Sequence, residues 1–495
     1  MRFRNLTAAF MLVMMLGIAG CSREKQLLDT VPADAASVMV LDAEKLTGYM
    51  NGSAYGGSLT ADEVLDRFLF KATKRSRNEL KTLLTSDAVD RHAMVGFSVK
   101  GDGGSVMSSI KEGDFFYTFK INDVDKFVGL LDVGSPTVIG DYDVYQLEGA
   151  VLFIKDNQGW IAWGDPAGAA RKLDTQLDIA SNTALSSIKG VTGYLDGDDG
   201  FLRTAISMAQ TGEQGWVCVT ASVDDAGKEL EVDANYLDPS GKKAKMDKYL
   251  QDINTDMLSY TTPADMIVMA VGIRHDTDWE GLINYCQAIY PLDSRQRAAL
   301  ALVLPYLKRI DGTLLVAAGV TADERISSRK DFSNDVNFVV AVNVAKSQAK
   351  ATLKDFAGVA SLLGIPMIEK DGGYILQAKG MSPVTLKIVN GSTIVFANRS
   401  LEQLGNDAAL KVMSGNSFGI WANVPDATGE TLYGGRGFKL TMSLDGDFES
   451  SFALNGSSAP ILEQLAVIMA ADDEEVVAAP DSDITPGFTP IDTIR

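Results

Sequence analysis

Gly415-Asn416-Ser417-Phe418-Gly419 has the G-x-S-x-G spacing of a nucleophile elbow. That device exposes a serine on a strand-to-helix turn and draws its base from a histidine later in the chain. Here the flanks are reversed: a helical stretch, Leu410 to Met413, precedes and a strand-like one, Ile420 to Val424, follows. No histidine follows Ser417, so the pattern reads as a glycine-flanked strand start. The chain has only two histidines, His92 and His275, each beside a strand end. A transition-metal site built on so few would lean on carboxylates, and none is expected. Asp196-Gly197-Asp198-Asp199-Gly200 opens like a calcium loop, which makes Asp196, Asp198 and Asp199 an incomplete calcium candidate. An EF-hand needs an oxygen ligand at its fifth position and a glutamate at its twelfth. Those positions hold Gly200 and Ser207, so a polar turn is expected. Among 65 acids no particular pair is marked for glycoside cleavage, which depends on separation in space. Trp160, Trp163, Trp216, Trp279 and Trp421 fall in alternating or amphipathic segments, where core packing is the better account than sugar stacking. No cofactor is implied.

The elements that must carry these residues belong to a long, acidic chain. Its 495 residues exceed what one hydrophobic core fills, so at least two domains are expected. A formal net charge of −20 argues against nucleic acid and against anionic head groups as partners. Besides Cys21, only Cys218 and Cys286 are present, which excludes a disulfide framework. The two could form one bridge in an oxidising compartment. Each lies on an apolar strand or helix face, which favours two core thiols.

The first twenty residues read as a secretory signal: Arg2 and Arg4, an uncharged run from Leu6 to Ala19, then small residues before Cys21. Ile18-Ala19-Gly20-Cys21 resembles the lipobox of bacterial lipoproteins. That resemblance implies cleavage before Cys21, lipid on its thiol, and a membrane as partner through that lipid. Several acyl chains hold a protein firmly, at ~0.8 kcal/mol per buried CH₂. Ser22 is not the aspartate of inner-membrane retention, and Ser22-Arg23-Glu24-Lys25 is mixed in charge. These residues favour the outer membrane, and a periplasm-facing position over the cell surface. No later segment reaches transmembrane length without charge or glycine breaks.

Downstream, the order of elements repeats. Pro32-Ala33-Asp34 leads into an apolar strand, Ser37 to Leu41, and Pro263-Ala264-Asp265 leads into Ile267 to Val271. Ala93 to Val99 matches Leu314 to Val320; Phe115 to Ile121 matches Phe338 to Val344; Trp216, Cys218 and Thr220 match Phe438, Leu440 and Met442. Period-2 runs predict half-buried antiparallel strands with one wet face. Helices are expected over Asp62–Lys74, Asn78–Leu84, Ala244–Leu250, Trp279–Tyr290, Ser294–Lys308 and Ile461–Met469. The fold class is α+β: two tandem related modules of antiparallel sheet with amphipathic helices packed on one face. The expected division is a signal over 1–20, a lipidated tether over 21–30, module one over 31–255, module two over 256–470, and an acidic disordered tail over 471–495.

Val31-Pro32-Ala33-Asp34-Ala35-Ala36-Ser37-Val38, with Leu46 ending the next short helix, resembles the start of an uncharacterised family of Bacteroidales-type lipoproteins. The resemblance implies an envelope protein and carries no site residue beyond Cys21. The expected function is a non-catalytic binding or scaffolding lipoprotein, with an envelope protein as a partner. The alternatives are a glycan- or peptidoglycan-acting hydrolase using paired carboxylates, and a periplasmic chaperone or inhibitor that takes clients at a sheet edge.

Overall fold

A computed structural model describes residues 24–99, 114–211, 215–244, 250–275, 277–280, 294–320, 336–362, 365–377, 382–401, 404–426, 437–456 and 458–478. It begins with α1 (Glu24–Leu28), β1 (Ser37–Leu41), α2 (Ala43–Met50), α3 (Ala61–Phe68) and α4 (Lys74–Thr85). The last two begin where the sequence offers caps. Thr60 and Glu63 form a reciprocal capping box for α3, and Thr73 accepts the Ser76 amide at the start of α4. Next come β2 (Val89–Ser98), β3 (Phe115–Ile121), α5 (Val124–Leu131), β4 (Thr137–Ile139), β5 (Tyr142–Gln146), β6 (Val151–Lys155) and β7 (Gln158–Ala162). Then α6 (Pro166–Asn182) starts on an Asp165 cap with proline in its first turn, followed by α7 (Lys189–Leu195). Four strands follow: β8 (Leu202–Ser207), β9 (Trp216–Val223), β10 (Glu229–Leu237) and β11 (Lys243–Ala244).

The second half runs β12 (Asp265–Ile273), α8 (Ser294–Leu307), β13 (Ile310–Val320), β14 (Val336–Val344) and α9 (Ala349–Leu362). It continues with β15 (Met367–Lys370), β16 (Gly373–Leu376), β17 (Val384–Val389), β18 (Thr393–Ala397) and α10 (Asp407–Met413). It ends with β19 (Phe418–Val424), β20 (Phe438–Asp445), β21 (Asp447–Leu454) and α11 (Ile461–Ala478).

The described strands all join one antiparallel sheet, so the fold is mixed α+β with β dominant. The sheet's middle is the β10–β21 pair. Outward from β10 the neighbours are β9, β8, β1, β2, β3, β7, β6, β5 and β4. Outward from β21 they are β20, β19, β12, β13, β14, β18, β17, β16 and β15. The tight β6–β7 and β15–β16 hairpins turn on Asp156-Asn157 and Asp371-Gly372, all at positive φ. Such turns match the twist of the strands they join.

The cross-strand register defines two faces. On the front, Met94, Leu41, Leu202, Ala221, Val232, Ser450, Met442, Ile420, Met269, Val316 and Val340 stand in one unbroken row. In the first half, α2 to α5 bury the front: Leu46, Val64, Leu80, Phe127 and Phe119 share a core with Leu41 and Met94. The back of the same strands is buried too, by Leu27 and Leu28 of α1, Leu173 of α6 and Val191 of α7. The expectation of helices on one face and water on the other is therefore corrected. β1 to β3 carry apolar residues at both parities and are covered on both sides. In the second half the back is filled by Met257, Leu258 and Met413 against Val268, Leu315 and Val339.

Two other expectations change. Ala244, the start of the helix expected over Ala244–Leu250, closes the short strand β11 with Lys243, and Leu250 bridges Ile273. The helix expected to stop at Met469 continues to Ala478, past the point where the acidic tail was to begin. Alanine and glutamate propagate a helix well once packing has nucleated it. The helix expected over 279–290 lies mostly outside the described residues.

Candidate functional site: an apolar sheet face

β12 and β13 are apolar at every second position on both sides, as strands buried on two faces are. On the back, Val268, Ala270, Leu315 and Ala317 are fully buried. The front is different. Leu444, Phe418, Val271 and Leu314 stand side by side; so do Met442, Ile420, Met269, Val316 and Val340; so do Leu440, Ala422, Ile267, Ala318 and Phe338. Every one of these side chains is apolar. All are half-buried except Ala422, which is buried, and Ile267, which is 43% exposed.

This floor spans β20, β19, β12, β13 and β14 and has helices at its two ends. On one side α11 brings Ile461, Leu462 and Ala466 against Leu454, with Phe438 and Phe452 alongside. On the other, Ala349 and Leu353 of α9 pack on Val342, Val344, Ile394 and Leu386, and Val271 and Leu314 of the first row pack against the same core with Trp279 and Leu307. Between them, Met442, Ile420, Met269, Val316 and Val340 belong to none of the cores among the described residues. Isolated exposed apolar side chains are ordinary, whereas a contiguous patch marks a surface that meets a partner, a ligand or a membrane.

The back of the neighbouring strands is acidic. Asp233 pairs with Glu449 across the β10–β21 junction, and Glu231 and Asp447 stand near. Burial, then the charges of Glu449 and Glu231, raises the Asp233 carboxyl above its ordinary range.

A small cavity of about 40 Å³ lies in the first half, between α4, α5 and the β5–β6 hairpin. Leu80, Leu83, Phe127, Leu131 and Leu152 line it, with Glu79 and Glu148 at its edge. Burial raises the Glu79 carboxyl; the hydrogen bond from the Thr73 hydroxyl is the main cause that holds Glu148 low. Two carboxylates shifted apart beside one cavity is the pattern an acid–base pair would need. Their hydrogen bonds tie the fold together instead. Both Glu79 oxygens accept the Glu148 amide, at 3.2 and 3.1 Å, and Arg75 Nε donates to Oε1 at 2.9 Å. Glu148 Oε2 accepts the Thr73 hydroxyl and the Ser76 amide at 3.2 Å, which caps α4. The two lie 69 residues apart in sequence, and no local pattern announces them. A polar cleft of about 440 Å³ sits at the ends of β13 and β14, lined by Asp252, Asp311, Asn343 and Lys346 among others. Asn343 is committed within it, accepting the Thr313 amide and donating to Thr393 Oγ1.

The residues singled out in the sequence are dispersed. Ser417 is buried and donates its hydroxyl to the Leu444 carbonyl at 3.0 Å. His92 meets Glu44 at 3.1 Å, and His275 meets Asp311 at 3.5 Å. Asp196 follows the last residue of α7, and Asp198 receives Lys45 through its carbonyl at 2.8 Å. Among the described residues, no cluster of three or more His, Cys, Asp or Glu stands close enough to hold a metal. Trp160 and Trp216 are buried; Trp163, Trp279 and Trp421 pack half-buried against cores. Cys218 is a buried free thiol, pushed up to about 12 by desolvation. Cys21 and Cys286 lie outside the described residues. Among the described residues, no helix is long and apolar enough to cross a membrane.

No protein family and no curated protein matches the chain. Among solved structures, crystal form III of TP0453 is similar at a TM-score of 0.22 and 8% identity, covering 76% of this chain and 94% of that one. Crystal form I of the same protein is similar at 0.22 and 9% identity, covering 76% and 93%. At that TM-score the likeness supports no statement about fold or function.

Proposed function

We propose that this chain is a lipid-anchored envelope protein, held by acyl chains on Cys21 in the outer membrane and facing the periplasm. Its work is non-catalytic binding, and the apolar front of β20, β19, β12, β13 and β14 is the binding face. The half-exposed floor is the observation that carries this reading. Exposing Ile267 and its neighbours to water forfeits burial worth roughly 25 cal/mol per Å², which a partner would recover. The matching strand order on either side of β10–β21 supports two tandem related modules, 31–255 and 256–470, joined edge to edge.

The hydrolase alternative would fall on Glu79 and Glu148, whose oxygens are already used to fasten α4 to the β5–β6 hairpin. The client-at-an-edge alternative would need a long free edge. The outermost described strands, β4 and β15, have 3 and 4 residues, although Val138 and Ile368 on them are 69% and 58% exposed.

Metabolic labelling with a palmitate analogue and membrane fractionation test the anchor. The expected result is a labelled, outer-membrane protein that loses both label and membrane with Cys21→Ala. A wild-type chain that is unlabelled and released on cell lysis overturns it. In-cell crosslinking, with Met269→Asp as the specificity control, tests the face. A crosslink that persists unchanged in that variant removes the floor from the binding reading.

A further inference from the structure

We propose that the floor binds the acyl chains of a zwitterionic membrane phospholipid, on the side of the sheet turned away from the chain's own tether. This rests on reading the floor as a binding face and names its ligand. The first reason is chemical. The three floor rows present only aliphatic, aromatic and thioether groups. A sugar, nucleotide or peptide laid there would leave its polar groups unpaired, while a hydrocarbon chain loses nothing. Met269 and Met442, in register with Ile420, give the floor side chains that adapt to a flexible ligand. A net charge of −20 disfavours anionic head groups and leaves zwitterionic ones.

The second reason is size. Five strands give four spacings of ~4.8 Å, so the floor is about 19 Å wide, and its two rows that join no core, ~7 Å each along the strands, occupy roughly 260 Å². A stable interface takes about 800 Å² from each partner, so a second copy would be held by about a third of what it needs. One acyl layer is about 15 Å deep, half of a bilayer core, which fits within the width.

The third reason is placement. Leu27 and Leu28 of α1 are buried on the back, against Val38 and Val40. Cys21 lies three residues before α1, a reach of about 10 Å. The floor begins at β20, six strand spacings from β2, roughly 29 Å along the sheet and on the opposite face. Distance and face set the floor apart from the tether, so the lipid proposed for it is one other than the chain's own anchor.

The test uses the full mature chain with Cys21→Ala, mixed with phosphatidylcholine vesicles that carry pyrene-labelled phosphatidylethanolamine. Extraction of lipid converts excimer to monomer emission. The expected result is saturable extraction near one lipid per chain, weakened at least tenfold by Met269→Asp and by Met442→Asp. Met269→Leu and the edge control Val138→Asp should extract like the parent, and circular dichroism should show all variants folded. No saturable extraction overturns the proposal; that is also what results if residues 281–293 or a second copy occupy the floor. Extraction unchanged in both aspartate variants overturns it as well. The anchor reading is decided separately by fractionation, so the two fail independently.

Discussion

Val339 and Val340 are neighbours on β14 with opposite fates, and the same truncation at each separates a buried face from an open one. Val339 is fully buried on the back, in a core with Val268, Leu315, Ala341 and Val395. Val340 is half-buried on the front, paired with Val316 and Phe396. Val→Ala removes two methyl groups, worth about 1.6 kcal/mol in transfer at ~0.8 each. At Val339 a cavity of roughly 40 Å³ at ~24 cal/mol per Å³ adds about 1 kcal/mol, for about 2.5 in all. At Val340 no closed cavity forms and part of the transfer cost is already borne, so about 0.5–0.8 kcal/mol is expected. The loss of β-branching is common to both and cancels. Urea denaturation followed by tryptophan fluorescence measures the two, because Trp421 packs against the Val339 core and reports the transition of this half. A difference near 2 kcal/mol supports the open floor. Equal costs would mean that the front at Val340 is covered as tightly as the back, and the binding reading would lose its surface.

Arg399 and Asp265 form a bidentate ion pair in which Asp265 is fully buried, and Arg399 also donates to the Tyr260 carbonyl at 3.2 Å. Arg399→Met strands that carboxylate and should cost about 3–5 kcal/mol in thermal or urea unfolding, with much of it recovered in Arg399→Met/Asp265→Leu; a loss under 1 kcal/mol contradicts the burial. Glu79 holds its proton more tightly folded than unfolded, because burial raises it above 4.5. Its contribution is therefore greatest below about pH 4.5 and declines as pH rises through the folded value, and Glu79→Gln should flatten that decline in melts from pH 4 to 8; parallel pH profiles for the two proteins would discard this account. Cys218, with its thiol raised to about 12, should resist iodoacetamide at pH 8 in a Cys286→Ser background and react only as the sheet unfolds, so labelling of the native protein within minutes would show that β9 opens.

Strands were legible because alternation and turn residues are local. Leu314 to Val320 alternates and lies within β13, Ile310–Val320; Pro32-Ala33-Asp34 precedes β1, and the Pro263-Ala264 turn leads into β12, which begins at Asp265. Helix α6 was missed although Asp165-Pro166 announces it, because Gly168 and scattered charges blur its apolar face. Which face a helix covers was not legible at all. Met269 and Ala270 look alike in a run of apolar residues, and only the placement of α10 and the Thr255–Tyr260 turn buries one while the other stays half-exposed. The Glu79–Glu148 tie joins a helix to a hairpin distant in sequence, so composition could supply 65 acids and no pair.

The two halves of the sheet pose one physical problem and meet it differently. β1, β2 and β3 are apolar on both sides, and α1, α6 and α7 behind and α2 to α5 in front remove both from water. β12, β13 and β14 hold the same places relative to the sheet's middle and are equally apolar. Behind them Met257, Leu258 and Met413 complete a core, yet in front Ile267 to Val340 stay half-wet among the described residues. A sheet face left to water carries polar groups, as the back of the β10–β21 junction carries Asp233 and Glu449. Met269, Ile420 and Met442 in one continuous row make sense if something apolar meets that row in the working protein. That is why the vesicle experiment and the Val339/Val340 pair belong together: the first asks what lies on the floor, and the second asks whether the isolated chain leaves it open.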